Sequence, residues 1–247
     1  MKSWKQAFWL AKFELTASPL HLLALYILGP LFILFLTLTI FSLSFDNYLD
    51  TNYVGFDMIF IFLLTLVPAW LRPKGSQIQQ VNSDHELWAA PTLVMHLQLA
   101  IPKEILIKSR FVIYFFYSFP LQCIFLFSIY IMTPNLQSMI SPSDYLVFCI
   151  IWLSFAIYIG FIMPAGDVGD RINLKTVTLS FIGIVFGTIA FLTSFILMTR
   201  HGLVYSTIIV AQKWPILSII GSLGLAILGI LYWQYYMKKS INKTDYL

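Results

Sequence analysis

LQLAIPKEILIKSRFVIYFFYSFPLQCIFLFSIYIM, residues 97–132, decides the fold class. Its second part, residues 111–132, runs 22 residues without a charge, which is enough helix to cross about 30 Å of hydrocarbon. Its first part carries Lys103, Glu104, Lys108 and Arg110, so the helix meets water near Arg110. Pro102 suits the first turn of this helix, where its missing N–H costs nothing. Working outward, apolar blocks of 17 to 24 residues predict six spans at 20–43, 55–71, 111–132, 145–163, 177–198 and 215–236. Pro30, Pro68 and Pro120 fall inside them, as lipid-buried helices tolerate.

Composition excludes an ordinary soluble core. Of the 247 residues, 59% are hydrophobic and 11% charged, against roughly 25% charged in a soluble domain. Mean hydropathy is +0.83. The net charge of +4 does not imply nucleic acid, because the basic residues sit in short clusters beside apolar blocks. Cys123 and Cys149 both lie inside apolar blocks and read as small buried hydrophobes. No repeat or low-complexity linker divides the chain, so residues 1–247 form one all-α transmembrane domain.

Residues 1–19 mix Lys2, Lys5 and Lys12 with Trp4, Phe8, Trp9 and Phe13. At helical spacing Trp4, Phe8, Ala11 and Leu15 make one stripe, with Trp9 and Phe13 on the far side. This predicts an interfacial helix with snorkelling lysines. A signal peptide competes, but the apolar run that follows is too long for one.

Basic residues then orient the chain. The amino terminus, the 72–110 loop, the loop with Arg171 and Lys175, and the carboxyl tail together carry 13 Lys/Arg, and the opposite side carries only Arg200 and Lys213. By the positive-inside rule both termini and the long loop are expected to be cytoplasmic.

Catalytic and ion-coupling patterns are missing. No expected span holds a charge near its middle, Asp57 at the outer edge of the second being the nearest approach; ion-coupled carriers place ionisable groups at that depth. Gly221 and Ser222 imitate an intramembrane serine protease motif, but no histidine lies in a later span. His21, His85, His96 and His201 are scattered, with His85 and His96 expected as ordinary polar surface groups and no metal site. The GDVG stretch at 166–169 lacks the lysine of a phosphate loop, so any ATP hydrolysis must come from a partner and no catalytic residue is assigned. Gly183 and Gly187 form a GxxxG, with Thr188 and Ala190 beside it, and Ser218, Ser222, Ala226 and Gly229 a small-residue stripe; these are expected to pack helices within one subunit or against a second copy.

The 72–110 loop holds the remaining signals. PKG at 73–75 turns out of the second span. Residues 76–88, SQIQQVNSDHELW, have helix-compatible composition, with Ile78, Val81, Leu87 and Trp88 available for docking and Asp84 and Glu86 exposed. Pro91 breaks this helix and residues 92–101 make a second apolar piece.

Six spans, an interfacial amino-terminal helix, and a large first cytoplasmic loop holding SDHELW (83–88) and then LQLAIPKEILIKSR (97–110) resemble the permease subunit of bacterial ABC-2 type exporters. Where that family usually carries Leu-Pro-x-Ser/Thr-Arg, this chain has Ile101, Pro102, Lys103 and Glu104. The resemblance implies two membrane subunits, this chain with a second copy or a homologous permease, and two separately encoded ATPase subunits that bind ATP and Mg, with no cofactor on this chain. It implies a coupling helix contacting the ATPase through Gln80, Val81, Ser83, Asp84, His85, Glu86, Leu87 and Trp88. It also implies a second contact through Asp167, Asp170 and Arg171, which by themselves read equally as a solvated turn. Uncharged, aromatic spans, with 22 Phe and 7 Trp in the chain, suit hydrophobic or amphipathic cargo, as in exporters of bacteriocin-like or phenol-soluble-modulin peptides. The alternatives are a lipid or drug exporter of the same machinery, or a non-transporting immunity or scaffold protein. Lipid is the expected surroundings in each case.

Overall fold

A computed structural model describes residues 2–17, 19–36, 44–45, 48, 54–70, 80–81, 86–99, 101–168 and 172–244. These residues are overwhelmingly helical. As far as they are described, all six apolar runs fold as helix: α2 (Pro19–Leu36), α3 (Val54–Trp70), α5 (Lys103–Met132), α7 (Pro142–Gly160) continued by α8 (Ile162–Gly166), α9 (Leu174–Thr199) and α11 (Pro215–Lys243). Four of these, Lys103–Met132, Pro142–Gly166, Leu174–Thr199 and Pro215–Lys243, are long and apolar enough to cross a membrane. The amino-terminal helix α1 (Lys2–Thr16), a loop helix α4 (Pro91–Gln98), and two short helices, α6 (Pro134–Met139) and α10 (Leu203–Lys213), complete the helical set among the described residues.

Two helices outrun their apolar blocks. The 30 residues of α5 measure about 45 Å, so the helix starts eight residues before residue 111 and carries Lys103, Lys108 and Arg110 on its first turns. The last turns of α11 carry Lys238, Lys239 and Lys243. Together with α1 these ends define a basic end of the molecule.

The expected stripe on α1 is corrected by the structure. Its inward face is Ala7, Leu10, Ala11, Glu14 and Leu15, laid along α5, whereas Trp4, Phe8, Trp9 and Phe13 all point outward. Ala7 and Ala11 let the two helix backbones approach closely, and the bulky aromatics are left on the surface, where a membrane interface accommodates amphipathic rings.

The core has two parts. At the basic end Leu10, Leu93, Leu106, Phe111, Phe161 and Met237 pack together. In the other part Phe60 is the hub, its ring 4.6 Å from Trp152, 5.6 Å from Phe125 and 6.1 Å from Phe148. Polar bonds also cross between helices, among them Gln122 Nε2 donating to Leu64 O at 3.2 Å and Tyr145 Oη to Leu126 O at 2.6 Å.

The fourth run is broken between Gly160 and Ile162. Pro164 has no N–H and its ring crowds the carbonyl of Gly160 four residues back, so the helix cannot pass that point without a break. The small-residue stripe on α11 packs on α7 as expected: Ser222 and Ala226 are buried, and a Cβ at Gly229 would lie 2.7 Å from Tyr158 Cδ2. The GxxxG does not pack against the described residues. A Cβ at Gly183 or Gly187 would meet nothing within 4 Å, and α9 buries Leu192 alone.

At the end away from the lysines, α10 is folded into the core instead of looping free. Val204, Ile208 and Ala211 are buried, Trp152 Nε1 donates to Thr207 Oγ1 at 3.0 Å, and Gln212 Nε2 donates to Met139 O at 2.8 Å.

Candidate functional site

The two loops expected to meet a partner meet each other. Strands β1 (Gln80–Val81), β2 (Glu86–Trp88) and β3 (Ile172–Asn173) form one antiparallel sheet in the order β1-β2-β3. Gln80 pairs with Trp88 and Val81 with Leu87; Glu86 pairs with Asn173 and Leu87 with Ile172. The helix expected over residues 76–88 is therefore corrected to strand at 80–81 and 86–88. A short isolated helix is marginal, the Asn82–Asp84 composition favours a turn, and the β3 strand, paired at Glu86 with Asn173 and at Leu87 with Ile172, supplies backbone hydrogen bonds.

A second joint lies beside the sheet. Ala89 and Ala90 are fully buried, and Ala90 N donates to Asp167 O at 3.0 Å. Pro91 does not merely break a helix: it occupies the first turn of α4, the position that has no use for its N–H.

Beneath this joint is a buried charge cluster. Arg110 Nη1 stands 3.1 Å from Glu14 Oε2, with the side chains 2% and 5% exposed. Arg110 Nη2 donates to Thr92 Oγ1 at 2.7 Å, and His96 Nδ1 lies 3.6 Å from Glu14 Oε1. Asp167 is 3% exposed, which corrects the expectation of a solvated turn. His96 is buried as well, correcting its reading as a surface group. One cluster thus ties together α1, α4 and α5, with Asp167 close enough to act on its electrostatics.

The titrations follow from this burial. Loss of water raises the Glu14 carboxyl above its usual range; the Arg110 guanidinium opposes that shift and the Asp167 carboxylate adds to it. Burial lowers the His96 imidazole, and Arg110 lowers it further. His96 is accordingly neutral near pH 7, and its contact with Glu14 is not an ion pair.

Of the expected contact residues, Gln80, Val81, Glu86, Leu87 and Trp88 lie in the sheet and Asp167 beside it. Ser83, Asp84, His85, Asp170 and Arg171 lie outside the described residues. Gly183 and Gly187 are remote, on the outward side of α9. Glu14 and His96 were not singled out from sequence, although Glu14 gives a signal there: it is the one acidic residue in the first 19, and it shares a helical face with Leu10, Ala11 and Leu15. Among the described residues no group of three or more His, Cys, Asp or Glu is arranged to hold a metal ion.

Comparisons with protein-family models, with curated proteins and with solved structures found no match for this chain.

Proposed function

We propose that this chain is the permease subunit of an ATP-driven exporter, with six membrane spans, both termini on the cytoplasmic side, and a separate ATPase that docks on the basic end. The observation that carries this reading is the sheet. Two loops share one backbone ladder at Leu87 and Ile172, 85 residues apart, and a second joint at Ala90 and Asp167. A partner gripping either loop would move both, and through Glu14 and Arg110 would move α1 and α5 with them. Helices buried in lipid offer an aqueous motor no other handle, and shifts at such packed joints convert into rigid displacements.

The cargo proposed is a hydrophobic or amphipathic peptide of the bacteriocin or modulin kind, as the resemblance suggests. α9, whose apolar side chains are almost all unburied within one chain, is the proposed surface for a second copy. Purification of the tagged chain from its native membrane tests the reading. An ATPase subunit should co-purify, its hydrolysis should rise on adding peptide cargo, and Asp84→Lys with Glu86→Lys should abolish that stimulation. Recovery of the chain alone, or stimulation by lipid but not by peptide, overturns the peptide-exporter assignment.

A further inference from the structure

The basic ends of α5 and α11 leave an open cleft of about 350 Å3 between them. Glu104, Ile107 and Lys108 line it from α5, and Leu231, Gln234, Tyr235 and Lys238 from α11. Glu104, Lys108 and Lys238 lie just outside the two apolar runs, Gln234 and Tyr235 at the end of the second, and of the lining residues Leu231 is the exposed apolar one furthest along α11 from the lysines. Two turns of α11 separate Lys238 from Leu231, a drop of about 10 Å along the helix. Below it α11 keeps an exposed apolar surface, with Ile227 at 58%, Leu228 at 60% and Leu231 at 59%.

Both cations stand ready for an anion. The Lys108 ammonium donates to Ser3 Oγ at 3.0 Å and lies 5.2 Å from the centre of the Trp4 ring, so its stem is fixed while donors remain free. The Lys238 ammonium is 3.9 Å from Glu104 Oε1, with both side chains more than half exposed. A pair that long and that wet contributes little, so a phosphate can displace the carboxylate at small cost.

We propose that this cleft binds one anionic glycerophospholipid, with its phosphodiester between Lys108 and Lys238 and its acyl chains over Leu231 and the exposed apolar face of α11. Charge complementarity selects the anion: the cleft carries two ammonium groups and one carboxylate. The apolar face beside the lysines selects a lipid over a soluble phosphate, which would cover the lysines and leave Leu231, Leu228 and Ile227 unmatched. Lysines at this level are where anionic headgroups gather. The inference requires the long helices to lie in a bilayer, but it does not depend on an ATPase or on export.

The test is native mass spectrometry of the full chain in detergent, titrated with phosphatidylglycerol or phosphatidylcholine. One phosphatidylglycerol should be retained under conditions where phosphatidylcholine is lost. Lys108→Gln with Lys238→Gln should weaken that retention about thirtyfold, each lysine near an anionic headgroup contributing about 1 kcal/mol. Lys108→Arg with Lys238→Arg should preserve it. Glu104→Gln, an exposed change that leaves the fold alone, should strengthen it about fivefold by removing the competing carboxylate. Equal retention of the two lipids, or no response to both the double glutamine variant and Glu104→Gln, overturns the proposal. Displacement of the lipid by millimolar glycerol phosphate also overturns it, in favour of a site for a soluble phosphate ester.

Discussion

Asp57 Oδ2 accepts the backbone N–H of Leu203 at 2.7 Å, across 146 positions of sequence. Its other oxygen accepts Val204 N at 3.0 Å and Tyr48 Oη at 2.8 Å. The residue before α10 is Gly202, which has no side chain to cap the helix, so a carboxylate from the start of α3 supplies the cap instead. First-turn N–H groups have no partners within their own helix, and here that of Val204 is buried and that of Leu203 partly so, so the bond is structural rather than incidental.

Asp57→Ala should therefore destabilise the chain by about 1–3 kcal/mol, since one buried and one partly buried N–H group lose their acceptor. Asp57→Asn keeps one acceptor oxygen and should cost about half as much. Thermal unfolding in detergent measures both. Equal stability of the three proteins would remove this role from Asp57.

Arg110 and Glu14 form a buried pair, and removing one member strands the other. Arg110→Met alone should cost about 3–5 kcal/mol, and Glu14→Leu with Arg110→Met considerably less than the sum of the single changes. A double-mutant cycle read by urea or thermal unfolding checks this; additive costs would mean the two groups are not coupled.

His96 predicts a pH dependence whose sign follows from its lowered folded value. Below about pH 6.5 the unfolded chain takes up a proton on this imidazole and the folded chain resists it, so the contribution of His96 falls as the solution is acidified and is constant above that pH. Glu14, raised by burial, has the opposite slope, contributing less as pH climbs from 4.5. His96→Gln should flatten the loss of thermal stability between pH 7.5 and pH 5.5. An unchanged slope in the variant would assign that loss to other groups.

The β2–β3 register can be locked. With Cys123 and Cys149 replaced by alanine, Glu86→Cys with Asn173→Cys puts two thiols on facing positions, within the reach of a disulfide after slight adjustment. Mild oxidation should join the tryptic fragments bearing residues 86 and 173. Glu86→Cys with Leu174→Cys, outside that register, should join poorly. If the two pairs crosslink equally, the sheet is not held in this register.

How far the sequence reveals all this depends on the range of each interaction. Local patterns predicted the helices: uncharged runs, Pro102 at a helix start, and the Ser222, Ala226 and Gly229 stripe were legible because composition and spacing alone carry them, whereas Pro91 read only as a breaker and in fact starts α4. The strands were not, because nothing within residues 76–88 announces a ladder with Ile172. Likewise Asp57 read as a charge at a span edge until Leu203 arrived beside it, and Asp167 as a solvated turn until Ala90 covered it. On α1 helical spacing put Trp4, Phe8, Ala11 and Leu15 on one stripe, but the face laid on α5 takes only Ala11 and Leu15 of these, with Ala7 and Leu10, and leaves both rings outside.

Pro120 divides α5 nearly in half and cannot donate to the carbonyl of Phe116, so one rung of the helix ladder is missing there. The length between Arg110 at one end and Leu126, which holds the Tyr145 hydroxyl, at the other is therefore a jointed strut and not a single rod. A tilt of about 5° over the roughly 24 Å of a stiff strut would move its tip by about 2 Å. With a compliant joint in the middle, part of that throw is absorbed as bending. The stiffness at residue 120 sets the gearing between the charged cluster and the aromatic core beyond it.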